Sequence, residues 1–176
     1  AMDKFNMGCR FESYLIHTLQ GTTEAAAAAK AEMKALMRGA VHSYLEYAID
    51  YASAGMYEEA TQLLSFVAEG NEATYPMVYY ALGYFASKMG KKDEALNLYK
   101  KAETMCPDYC FPNKLEEVLM LNDAMSLNPE GAKAPYYLGN FHYAARIYDE
   151  AIACWEKSAS IDDTYPTVLR NLSLAY

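Results

Sequence analysis

The sequence predicts an all-α fold: a superhelix of antiparallel helix hairpins with one irregular spacer helix. Three observations carry this. The segment YYALGYFASKMGKKDEALNLYKKAETMCPD, from Tyr79 to Asp108, reads as helix, turn, helix. It is echoed by YLEYAIDYASAGMYEEATQLLSFV from Tyr44 and by YYLGNFHYAARIYDEAIACWEKSASID from Tyr136. The echo has a period: Gly55 lies 35 residues before Gly90, and Ala60 lies 35 before Ala95. A hairpin that recurs at such a spacing cannot bury its apolar face alone and stacks on its neighbours.

The elements follow in chain order. Residues 7–38 form a degenerate hairpin. Phe11, Tyr14, Leu15 and Leu19 share a face of its first helix, and Gly21 stands 34 residues before Gly55 in the turn. Thr22 or Thr23 then caps a second helix, with Glu24 in its first turn where the helix dipole favours acid. Its run EAAAAAKAEMKALM is a strong helix former, with Ala29, Met33, Leu36 and Met37 as a narrow apolar face. Residues 41–70 and 76–109 are regular repeats. Residues 110–131 hold the irregular helix, with Pro112 in its first turn and Leu115, Val118, Leu119 and Met125 as one buried stripe. Asn128, Pro129 and Gly131 end it. Counted back from Pro129, Leu121 and Ala124 occupy the large and small positions of a second repeat helix, so one repeat has kept that helix and lost most of its first. Residues 132–165 are the third regular repeat, and 166–176 are the first helix of a truncated one, whose face of Leu169, Leu172 and Tyr176 is ready for a following repeat or for an oligomer contact.

The repeat positions are physically legible. Ala48, Gly83 and Gly139 are small where two helices approach closely. Gly55 and Gly90 sit between helices, where a left-handed turn costs glycine little. Ala60, Ala95 and Ala151 are small on the second helix, and Leu64, Tyr99 and Trp155 are large four residues later. Pro107 stops the second helix of its repeat.

This set of small, large, Gly and Pro positions resembles the tetratricopeptide repeat (TPR), a 34-residue unit of two antiparallel helices. The stretch from Cys110 to Tyr176, with YLEYAIDYASAGMYEEA upstream, also resembles the repeat region of large bacterial proteins. Those carry a carbohydrate-related N-terminal domain of unknown function. The resemblance to the repeat implies that first helices line a concave groove. The groove residues it implies here are Tyr80, Tyr84, Tyr136, Asn140, Tyr143, Arg170 and Asn171, rimmed by Lys88 and Lys133. It implies a scaffold that binds a protein, a peptide or another domain of a longer chain. The second resemblance implies the alternative, an accessory region of a carbohydrate-active enzyme. Asn140 and Asn171 match two positions of the clamp that some family members use on C-terminal carboxylates, but Tyr136 replaces its first lysine.

Composition narrows the function. The net charge is −8, which disfavours nucleic acid, because phosphate binding needs a clustered basic face. There is no long apolar run that reads as a membrane span. The four cysteines lack a disulfide or zinc spacing, read as small buried residues, and suit a cytoplasmic setting. His17, His42 and His142 have no partner at ligand spacing. Glu58/Glu59 and Asp149/Glu150 open second helices, where the dipole explains them. No phosphate loop, nucleophile elbow or metal motif is present, so neither catalysis nor a cofactor is expected. Most of the 17 tyrosines fall at helical spacing and read as packing residues with a polar tip.

Overall fold

The structure is a computed structural model and describes residues 6–68 and 75–176. The described residues form ten helices and no strand. They divide between two compact units, Ala1–Ala73 and Thr74–Tyr176. No helix among the described residues is long and apolar enough to cross a membrane.

The first unit pairs α1 (Met7–Leu19) with α2 (Thr23–Met37), and α3 (Val41–Ser53) with α4 (Tyr57–Ala68). Its core is aromatic. The Phe11 ring meets Tyr51 edge-on at 5.2 Å and Phe66 at 6.1 Å, which joins α1 to both helices of the second hairpin. Ala48 and Leu64 are fully buried where α3 meets α4. Residues 69 and 70, the end of the predicted repeat 41–70, lie outside the described residues.

The second unit pairs α5 (Pro76–Lys88) with α6 (Lys92–Thr104), and α8 (Lys133–Ala144) with α9 (Tyr148–Ile161). Between them lies α7 (Leu115–Leu127), packed on α5, α6 and α8, and α10 (Pro166–Ala175) packs on α9. The hairpins close as their small residues predict. A β-carbon on Gly83 would lie 2.7 Å from Tyr99 Cδ1, and one on Gly139 would lie 2.5 Å from Trp155 Cδ1 and Nε1.

All four hairpin turns share one geometry. The N–H two residues past each first helix's cap bonds back to a carbonyl five residues earlier: Thr22 to His17, Met56 to Tyr51, Lys91 to Ala86, and Ile147 to His142. This bond needs a left-handed residue just before it. Gly21, Gly55 and Gly90 fill that place with φ of 71°, 82° and 79°, and Arg146 does so at 62°. The N-terminal hairpin, degenerate in sequence, therefore turns as the regular repeats do.

Several sequence expectations are corrected. The irregular helix starts at Leu115, not near Pro112, because the Glu117 carboxylate accepts the N–H groups of Asn113 and Lys114 at 2.7 and 3.0 Å and fixes the helix start there. Its buried stripe is Glu117, Met120, Leu121 and Ala124, while Leu115 and Leu119 are 74% and 56% exposed. The repeat-derived register of Leu121 and Ala124 thus prevails over simple apolar spacing, because α7 packs against three helices through that face. Leu19 is exposed at the end of α1. Thr22 makes no side-chain cap on α2, since its hydroxyl donates back to the His17 carbonyl. Of the cysteines only Cys110 is fully buried, and Cys106 is exposed.

Candidate functional site

Helix α8 repeats large or polar residues at Tyr136, Asn140 and Tyr143, spacings that share one helical face. Helix α10 does the same with Thr167, Arg170, Asn171 and Leu174. These two faces, the Trp155 ring from α9 and the segment from Pro107 to Phe111 line a cleft of about 430 Å³. That volume falls in the range of ligand-holding clefts.

The polar groups of the cleft are held by a short network. Trp155 Nε1 donates to Asn140 Oδ1 at 3.2 Å, and Asn171 Nδ2 donates to the same oxygen at 3.2 Å. One bond ties α9 to α8 and the other ties α10 to α8. The Trp155 indole fits because Gly139 has no side chain, and it packs 5.3 Å from the Tyr143 ring. Tyr136 is buried, its ring 4.9 Å from that of Tyr165. Arg170 is exposed and forms no ion pair among the described residues.

The other wall comes from the loop after α6. Tyr109 has a φ of 59° and is 88% exposed, and Phe111 is 63% exposed. Cys110 between them turns inward, and burial pushes its thiol up to about 12. This alternation puts two aromatic rings at the cleft and anchors the loop between them. Behind the loop, Glu103 on α6 accepts the backbone N–H of Lys133 at 2.9 Å and of Ala134 at 3.3 Å, and the Tyr80 hydroxyl at 2.8 Å. It thereby caps α8, whose own N-cap residue Ala132 offers no side-chain bond.

Of the nine residues expected to form a groove, five line this cleft: Tyr136, Asn140, Tyr143, Arg170 and Asn171. Tyr80 does not reach the surface. It is fully buried against Tyr99 and Tyr137, and Glu103 holds its hydroxyl. Tyr84 and Lys88 lie on α5 outside the cleft, with the Lys88 ammonium over the Tyr84 ring at 4.9 Å. Lys133 turns its ammonium to the Met105 carbonyl at 2.6 Å and serves the α6–α8 junction. The cleft residues that sequence reasoning missed include Asp108, Tyr109, Phe111 and Trp155. For Trp155 a signal existed, because a buried indole N–H needs an acceptor nearby. For Tyr109 and Phe111 none did, since their place depends on the loop's path.

A second cavity, about 580 Å³, lies in the first unit beside Met7, Met37, Glu46, Tyr47 and Asp50. It holds none of the expected groove residues. No group of three or more His, Cys, Asp or Glu side chains placed to hold a metal ion occurs among the described residues.

No protein-family model matches the sequence, and no curated protein matches it. Solved structures do. MamA is 20% identical, the match covering 97% of this chain and 80% of that one, with a TM-score of 0.36. YrrB, a TPR protein with an unusual peptide-binding site, is 17% identical over 96% of this chain and 93% of its own, with a TM-score of 0.37. The first TPR of Spaghetti (RPAP3), solved with an HSP90 peptide, is 16% identical over 77% of this chain and 89% of its own, with a TM-score of 0.35. These are proteins the chain is similar to. Its all-α helical-repeat character stands on its own helix pairing and its four equivalent turns.

Proposed function

We propose that this chain is a non-catalytic interaction scaffold of the tetratricopeptide type, and that the cleft of the second unit binds a protein or peptide segment. The partner is a separate protein or another domain of a longer chain. The single observation behind this reading is the convergence of exposed aromatic rings with an unpaired arginine and two side-chain amides in one cleft. Aromatic residues and arginine are the side chains that dominate binding energy at protein interfaces. Among the described residues no His, Cys, Ser or Lys lines the cleft, so it lacks the usual pairing of nucleophile and base. The four free thiols fit a reducing, cytoplasmic setting.

An array of extended peptides tests the proposal. Peptides that bind the wild-type chain are expected to lose about tenfold or more in affinity when Tyr143→Ala and Arg170→Ala are combined, the loss typical of interface anchors. Unchanged affinity in that variant, or an array without a single binder, would overturn the assignment.

A further inference from the structure

The bonds of the Trp155 indole fix more than its own place. An indole N–H only donates, so the Asn140 atom that meets it at 3.2 Å is the carbonyl oxygen Oδ1. Asn171 Nδ2 donates to that oxygen as well, which uses both of its lone pairs. Two consequences follow. The Asn140 amide nitrogen is turned away from Trp155 with both hydrogens untaken by any described group. Asn171 keeps its own Oδ1 as an untaken acceptor. Both residues line the cleft, one on α8 and one on α10. The cleft therefore presents a donor and an acceptor on adjacent helices with their orientation set.

We infer that Trp155 is a positioning residue that locks Asn140 and Asn171 into a donor–acceptor pair which reads one peptide unit of an extended partner segment. The inference rests on the proposed reading of the cleft and adds what the partner presents there. A peptide unit offers a carbonyl and an N–H in fixed opposite directions, the complement of a fixed donor and a fixed acceptor. A sugar hydroxyl rotates and both donates and accepts, so it gains little from such a lock. Backbone recognition of this kind tolerates many sequences. Selectivity falls to a large apolar side chain set against Tyr143 and Phe111, two of the exposed rings of the same cleft.

The test uses the full chain and the tightest binder from the peptide array, labelled and followed by fluorescence anisotropy. The peptide is remade with a single ester in place of each amide in turn, which deletes one N–H at a time. One position is expected to lose about fivefold in affinity, the value of one net hydrogen bond. In Trp155→Phe the two amides are free to turn over together, so that Asn140 Nδ2 donates to Asn171 Oδ1 and takes that acceptor, and the ester penalty at that position should vanish. A merely structural role for Trp155 would weaken amide and ester peptides alike and leave the penalty in place. If Trp155→Phe does not fold by its thermal melt, benzothienylalanine at this position removes the N–H and keeps the shape. A peptide that binds with no ester-sensitive position, or a penalty that survives loss of the indole N–H, overturns the donor–acceptor lock alone. An array without a binder, or binding of a hexasaccharide panel in place of peptides, overturns the reading of the cleft on which it rests.

Discussion

The ring of Tyr99 fills the space in which a side chain at Gly83 would begin: a β-carbon there would stand 2.7 Å from Cδ1 and 2.9 Å from Cζ. The ring is fully buried, and its hydroxyl donates to Asp123 on α7 at 2.5 Å. One glycine thus admits a tyrosine that joins α5, α6 and α7.

Gly83→Leu is accordingly expected to force the α5–α6 hairpin apart. Overpacking of this kind costs about 1–3 kcal/mol, and Gly83→Ala should show the lower part of that range. Pairing Gly83→Ala with Tyr99→Leu should cost less than the two changes summed, because the smaller side chain relieves the clash. Urea unfolding of the four chains measures the coupling, and strict additivity would count against the contact.

Glu103→Ala leaves the N–H groups of Lys133 and Ala134 and the Tyr80 hydroxyl without their acceptor. Stranded polar groups cost about 1–3 kcal/mol. The expected result is a loss of that size in the second unit, with faster amide exchange at Lys133 and Ala134. Unchanged exchange at these two amides would rule out the cap.

The buried Cys110 gives stability a dependence on alkaline pH. Its thiol is raised from 9.0 to about 12 by burial, so the folded chain keeps the proton that the unfolded chain releases. Stability is then level below pH 9 and falls above it, by up to about 1.4 kcal/mol per pH unit for one such group. Cys154 is raised by the same cause and acts in the same direction. Above pH 10 the buried tyrosines Tyr80, Tyr99 and Tyr137, all pushed upward by burial, steepen the fall. Cys110→Ala should flatten the decline between pH 9 and 10 in denaturant titrations. In the native chain, alkylation should label exposed Cys106 well before Cys110.

The turns invite a paired substitution. Gly90 and Arg146 hold the same left-handed position, at φ of 79° and 62°. Gly90→Ala is expected to destabilise by about 1 kcal/mol, since a β-carbon is disfavoured there. Arg146→Gly removes the same penalty and should not destabilise. Thermal melts of the two variants are expected to differ in sign or size accordingly, and equal losses would contradict the shared turn.

Much of the fold is legible in the sequence because it is written in a local alphabet. A helix needs only apolar spacing and good helix formers, and a hairpin turn needs a residue tolerant of positive φ, so Gly21, Gly55 and Gly90 announce three of four turns. The fourth has no such signal, since an arginine, Arg146, takes the left-handed place there. The spacer helix shows the limit. Spacing alone picked Leu115 and Leu119 for its buried face, but three neighbouring helices chose Met120, Leu121 and Ala124. Periodicity gives the width of a stripe, and packing gives its direction.

The groove divides in the same way. Tyr136, Asn140, Tyr143, Arg170 and Asn171 were reached from repeat positions, and the tertiary structure places all five in one cleft. Tyr80 holds an equivalent repeat position on α5 and is fully buried, because its ring packs against Tyr99 of α6 and Tyr137 of α8. The sequence by itself determined the helices, their pairing and the small residues that let them touch, since these depend on neighbours a few residues to one repeat away. Only the tertiary structure decided which face of α7 is covered, that the Tyr109–Phe111 loop walls the cleft, that Glu103 caps α8, and that Trp155 orients Asn140. Each of these joins groups distant in the chain, and their bonds are set by where the helices stop rather than by what any segment prefers.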